Sequence, residues 1–359
     1  MKIDISVTQR PFKYLVPSLR TKAFVILIFL LPQLIMLALS ESYSSLIVIF
    51  TCVASSIFAD CARFLLQKKR DSFNIFNITY ALIRGILTGF FIPASYPIFA
   101  AFLIVFFTIF LCGIFLEGFA ESWLNPVAVT VAVCWISGTK VFPSWQITSE
   151  ILLTRNPSLA LIHNGTFSVF DFDSAVTSFL NKNIFSIFDV AIPEGYVSLL
   201  WDTQSEIPAF RFNFITIITS VIFISFDIIK PAVPAVFVIV YGILVYAASP
   251  LFFGGVPFRG DIILAFFTSG IIFSSLFLLQ WPSTTPFTDL GKFIYAVIAG
   301  FSAFMIAGAG TSSVGAIFCV LLVNIISIII QAVEQYAEKK QTLSTLAEKV
   351  TALKEGSDA

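Results

Sequence analysis

The sequence predicts an all-α integral membrane protein with about ten transmembrane helices, arranged as two inverted five-helix repeats. Three observations lead there. Hydrophobic residues make up 58% of the 359 and charged ones only 12%, whereas an ordinary soluble domain is roughly a quarter charged. Apolar runs recur along almost the whole chain, each near the ~20 residues that a helix needs to cross a bilayer and too long for barrel strands. Finally, Pro93-Ala-Ser-Tyr-Pro97 and Pro282-Ser-Thr-Thr-Pro286 share a Pro-x-x-x-Pro spacing, each followed by a long apolar stretch.

Reading the runs against their breakers gives spans at 23–40, 43–59, 78–93, 97–116 and 125–138, then 212–229, 231–248, 261–280, 292–309 and 313–332. The two proline pairs follow the third and eighth of these. Five spans lie between them, and an odd number turns the second copy upside down. The competing explanation is chance recurrence of prolines at membrane interfaces. The organisation is then an N-terminal arm (1–22), a first membrane repeat (23–138), a loop (139–211), a second repeat (212–332) and a tail (333–359).

Orientation follows from lysine and arginine. With the N-terminus in the cytoplasm, fifteen basic residues fall inside, against Lys140, Arg155, Lys182, Arg211 and Arg259 outside, and Arg84 lies within a span. That bias puts both termini in the cytoplasm and the loop 139–211 outside. The arm 1–22 is polar and basic, and no short apolar segment with a small-residue cleavage site precedes the first span, which argues against a cleaved signal peptide. The loop mixes aromatic and aliphatic residues with Asp171, Asp173, Asp189, Glu194 and Asp202, a composition for partial folding against the membrane surface and the natural place for chemistry or docking.

Several function classes drop out. The net charge is +0 and no basic arm is interleaved with aromatics, so nucleic-acid binding has no basis. His163 is the only histidine, which leaves no Ser/His/Asp triad, and no Gly-x-x-x-x-Gly-Lys phosphate loop is present. Cys52, Cys61, Cys112, Cys134 and Cys319 lack metal-ligand spacing and read as small packing residues. Asn164-Gly-Thr166 fits a glycosylation sequon, a pattern common by chance. In the tail, Leu343, Leu346, Val350 and Leu353 form one face of an amphipathic helix suited to the membrane surface or a neighbouring subunit.

Several segments together resemble the RnfD/NqrB family, membrane subunits of ion-pumping NADH:ferredoxin and NADH:quinone oxidoreductases. The sharpest is Pro282-x-Thr284-x-Pro286-x-Thr288-x-x-Gly291. Beside it stand Gly315-x-x-Phe318-x-x-Leu321-Leu322-x-Asn324, Leu124-Asn125-Pro126, and the run Tyr80 to Pro93 with Arg84, Gly85 and Gly89. In the loop, Asp171-Phe-Asp-Ser174-Ala-Val-Thr177 is similar to the family's flavinylation signature, with Ala175 and Val176 where that signature has Gly and Ala. No clear counterpart of the family's Gly-Ser-x-Gly-Glu stretch precedes the sixth span, where the chain reads Gly195 to Glu206.

The resemblance implies a bacterial inner-membrane protein, most like the D-type component of the Rnf ion-translocating oxidoreductase complex, with FMN joined by a phosphoester to Thr177 and with Asp171 and Ser174 beside it. Electrons would pass through that FMN in a ferredoxin/NAD redox chain coupled to Na⁺ or H⁺ movement. Implied partners are an extracytoplasmic FMN subunit, iron-sulfur membrane subunits, a peripheral NADH-linked subunit, the flavin transferase that matures the site, and membrane lipid. A second flavin is not implied by the motifs present. Arg84, a charge inside the third span, needs a partner or a route to the interface: a flavin phosphate, an acid, or reach toward the cytoplasmic face. Asp227, Asp261 and Glu117 are candidates for a cation path or for plain interfacial solvation. The alternatives are an NqrB-like subunit and, from a different class, a flavin-free transporter or channel with inverted repeats.

Overall fold

The computed structural model describes residues 17–67, 75–116, 122–143, 169–189, 191–253, 257–258 and 260–357. Glu117, His163 and the sequon at 164–166 lie outside the described residues, as does most of the N-terminal arm. Regular structure among the described residues is helical: α1 (Leu19–Leu39), α2 (Tyr43–Leu66), α3 (Ile75–Phe91), α4 (Ile98–Phe115) and α5 (Pro126–Ser137); α6 (Asp173–Asn183) and α7 (Tyr196–Leu200); then α8 (Asn213–Ser225), α9 (Ala232–Phe253), α10 (Ile262–Thr268), α11 (Ile271–Phe277), α12 (Asp289–Ala307) and α13 (Gly315–Ser357).

Every apolar run of the sequence is helical here, the run 261–280 as the pair α10 and α11. Among the described residues, five helices are long and apolar enough to cross a membrane: α1, α2, α4, α12 and the Gly315–Ser344 part of α13. Helices such as α5 and the pair α10–α11 are shorter, and their ends have local causes. Asn125 caps α5 by accepting from the amides of Val127 and Ala128, and Pro126 fits the first turn because its missing N–H would go unpaired there. Gly138 ends α5 after 12 residues, a rise of about 18 Å against the ~30 Å of a hydrocarbon core. Gly270 splits α10 from α11 with φ +67°, and a Cβ there would sit 2.3 Å from Cε1 of Phe210, so only glycine fits. The Nδ2 of Asn213 donates to the carbonyl of Phe267 beside the break at 3.1 Å.

The outward faces of α1 and α4 show Phe24, Ile35, Phe99 and Phe107 to the surroundings, while Ser45, Ser55, Ser56 and Asp60 of α2 are buried. Apolar outside and polar inside is the distribution lipid imposes. Packing repeats along the chain. In the first half α2 packs on α3 and α4, α4 on α5, and α1 on α3; in the second, α9 packs on α10, α11 and α12, α12 on α13, and α8 on α11. The α2–α3 contact is close enough that a Cβ on Gly85 would lie 2.5 Å from the Val53 Cα.

Hydrogen bonds gather distant segments at two opposite ends. At the loop end Arg211 donates to the Ser42 hydroxyl (2.7 Å) and the Ala94 amide to the Glu206 carbonyl (3.2 Å). At the tail end Asn125 donates to the Leu278 carbonyl (3.1 Å) and Gln331 to the Thr285 carbonyl (3.2 Å). The tail departs from the expectation of a separate short helix: α13 runs unbroken from Gly315 to Ser357, because residues 332–340 bring no glycine or proline to stop it.

Candidate functional site

The loop motif folds as the start of α6, and its residues divide between two faces. Asp171 and Ser174 are exposed, whereas Asp173 and Thr177, four residues apart on one face, are buried at 0% and 2% exposure. The Thr177 hydroxyl donates to Asp173 Oδ1 at 2.9 Å. The Gly195 amide donates to the same oxygen (2.8 Å), and the amide and hydroxyl of Ser198 donate to Oδ2 (2.7 and 2.6 Å). Burial pushes the Asp173 carboxyl up, but the bonds from Ser198, Gly195 and Thr177 outweigh it and hold it below the usual carboxylate range.

This arrangement differs from a hydroxyl standing free on a polar loop. Thr177 is buried, and its hydroxyl is taken up by Asp173. The sequence motif points to Asp171, which faces outward, and leaves Asp173 unmarked; the i to i+4 spacing of Asp173 and Thr177 was the signal. Gly195 and Ser198, in the stretch where no family counterpart was recognised, supply three of the four donors.

Further along, the Asn181 side chain pairs with both backbone groups of Ile192 at 2.8 Å, holding the far end of α6. Tyr196 of α7 donates to Asp261 Oδ2 at 2.7 Å, and Asp261 Oδ1 caps α10 by accepting from the Leu264 amide at 2.9 Å. The loop helix is thereby tied to the first half of the interrupted pair α10–α11. At its base, burial pushes the Asp202 carboxyl up and the Arg211 guanidinium down from their ordinary values.

Arg84 stands in a different cluster. It is 1% exposed, forms a short ion pair with Asp60 of α2, and lies with its guanidinium carbon 4.1 Å from the centre of the Tyr80 ring. Arg63 joins at 3.4 Å from Asp60 and donates to the Gly113 carbonyl at 3.1 Å. The structural partner of Arg84 is therefore an acid, one that hydropathy does not single out although Asp60 sits one residue past the end of the second apolar run. Helical side chains lean toward the helix N-terminus, and this brings the long Arg84 side chain down to Asp60.

The other resemblance motifs converge at the tail end. Thr288 caps α12 by accepting from the Gly291 amide (3.0 Å), and Glu334 of α13 accepts the amides of Phe287 (2.8 Å) and Thr288 (3.0 Å) together with the Thr288 hydroxyl. With its amide oriented to satisfy both groups, Asn324 accepts from the Asn125 amide at 3.0 Å. Ser283 donates to the Ser122 carbonyl. A cavity of about 180 Å³ opens beside this knot, lined in part by Lys22, Asp227, Lys230, Trp281, Thr285 and Lys292. Asp227 pairs with Lys230 at 2.7 Å. No cluster of three or more His, Cys, Asp or Glu suited to a metal occurs among the described residues.

Fold and site together define a class: a protein helical throughout its described residues, with helices fit to cross a membrane and a folded segment that buries a carboxylate-held threonine. The chain matches the NQR2, RnfD, RnfE family over residues 6–340 and belongs to it. It is also similar to the D-type component of the ion-translocating oxidoreductase complex of Buchnera aphidicola subsp. Baizongia pistaciae (strain Bp), 23% identical over 302 residues that cover 77% of this chain and 82% of the relative. The family read from the motifs is thus the family matched.

Proposed function

We propose that this chain is the D-type membrane component of a bacterial Rnf-type ion-translocating electron-transport complex, with FMN esterified to Thr177 and ten membrane segments in two inverted repeats. Family membership over residues 6–340 carries the reading, and the name of the similar protein favours the Rnf over the Nqr type. The repeat is supported by packing relations that recur at an offset of five segments. When bound, the flavin supplies the electron-transfer chemistry, and the protein supplies its position and electrostatics.

The residues that would hold it lie in α6 and in the turn that leads into it. Thr177 supplies the ester oxygen, and Ser174 and Asp171 supply exposed polar groups about one and two turns before it. Arg84, paired with Asp60, holds α3 to α2 within the membrane part. Coupling is to Na⁺ or H⁺, through the partner subunits named above. The test is in-gel flavin fluorescence after denaturing electrophoresis of chain co-expressed with its flavin transferase. The native chain gives a fluorescent band and Thr177→Ala gives none. A band that survives in Thr177→Ala moves the attachment elsewhere, and no band in either chain, with a transferase active on a control protein, removes the covalent flavin.

A further inference from the structure

The closed geometry at Thr177 does not fit an esterified threonine. We propose that Asp173 is a latch: it holds the unmodified segment shut over Thr177, and attachment of the flavin phosphate requires, and afterwards maintains, release of α6 from the Gly195–Ser198 turn. The second half of this statement rests on the attachment reading; the first half does not.

Four donors fill both oxygens of Asp173, and one of them is the Thr177 hydroxyl. The Ser198 hydroxyl also accepts from the Phe170 amide at 3.1 Å, so α6 and the first turn of α7 close on one carboxylate and the stretch of chain before α6 is tied in through Ser198. Attachment exchanges one bond for another with no change of oxidation state. The Thr177 oxygen attacks the flavin-side phosphorus of a flavin dinucleotide; the phosphoanhydride bond breaks; the nucleoside monophosphate leaves and the hydroxyl proton passes to solvent. The product oxygen can no longer donate to Asp173. It also carries a phosphodiester with one negative charge beside a carboxylate that is already ionised. Two like charges brought this close on one buried face repel each other. The loss of a donor and the gain of an anion act on the same contact in the same direction.

Access makes the same demand beforehand, since a side chain 2% exposed cannot enter a transferase active site. The Asn181–Ile192 pair lies a full turn beyond Thr177 and takes no part in the latch, so α6 opens about that point. The Tyr196–Asp261 bond carries the movement of the turn to the cap of α10.

Hydrogen–deuterium exchange on the full chain in lipid nanodiscs, read for peptides within 170–200, tests this. In unmodified protein, Asp173→Asn raises exchange at Gly195–Ser198 at least ten-fold, with α2 and α12 unchanged as a check on folding. Thr177→Val, which removes the donor alone, raises it less than Thr177→Glu, which places an anion at the same point. Flavinylated native chain resembles Thr177→Glu, and Asp173→Asn accepts flavin from purified transferase faster than the native chain. Unchanged exchange in both Asp173→Asn and Thr177→Glu overturns the latch, and slower flavin transfer to an opened Asp173→Asn shows that Asp173 serves the transfer rather than guarding it. If the native chain takes no flavin at all, the attachment reading fails, and the exchange of the unmodified variants still decides whether the latch exists.

Discussion

To accept four hydrogen bonds the Asp173 carboxylate has to stay ionised, because a protonated oxygen would donate where Ser198 or Thr177 now donates. All four partners are hydroxyls or amides, so the carboxyl is the group that titrates. The unfolded carboxyl takes its proton near the ordinary value of 3.8 and the folded one below it. The stabilisation is therefore complete above that ordinary value and is lost as pH falls through the folded one. Exchange at Gly195–Ser198, corrected for intrinsic rates, stays slow above the ordinary carboxyl value of 3.8 and rises as pH falls below it in the native chain, while Asp173→Asn shows no such step. How much of this was legible in the sequence turns on spacing. Thr177 stood out through its motif, but the carboxylate that holds it came from a position the motif leaves open, and its other partners come from more than twenty residues away.

At the scale of elements, the α2–α3 pair depends on the Asp60–Arg84 contact and on the absence of a side chain at Gly85. Removing one partner of a buried ion pair costs about 3–5 kcal/mol, whereas replacing both by apolar groups of similar volume is often neutral. Asp60→Leu therefore lowers the thermal midpoint in detergent sharply, and Asp60→Leu with Arg84→Met recovers most of the loss. A double variant as unstable as the single one would refute the pairing. Gly270→Ala forces a Cβ into Phe210 with a positive φ, and the expected destabilisation is about 1–3 kcal/mol, read by the same melt. The apolar runs predicted where helices lie because lipid demands long apolar stretches. They did not predict where helices stop, since the break at Gly270 depends on the ring of Phe210, which hydropathy does not register.

For the whole molecule, the two ends carry different work: α6, α7 and Arg211 gather at one, and the knot of Asn125, Thr288, Asn324 and Glu334 at the other. Positive-inside counting puts the first outside and the second in the cytoplasm. In a chain with its five cysteines replaced by alanine, a membrane-impermeant maleimide added to right-side-out vesicles labels Ser178→Cys and leaves Ser344→Cys unlabelled until the vesicles are broken. The reverse pattern inverts the topology. The convergence of Pro282–Gly291 with Asn125 and Asn324 was visible in the sequence only as three separate resemblances. Their common location is a product of how the chain folds, and so is the grip of Glu334. That grip gives α13 a mechanical character. Its 43 residues rise about 65 Å, roughly 35 Å more than the hydrocarbon needs, and Glu334 clamps the shaft near the point where it leaves the bundle. Beyond Glu334 the shaft continues to Ser357, about 35 Å, so a load applied to that end bears on the Phe287 and Thr288 amides just before α12.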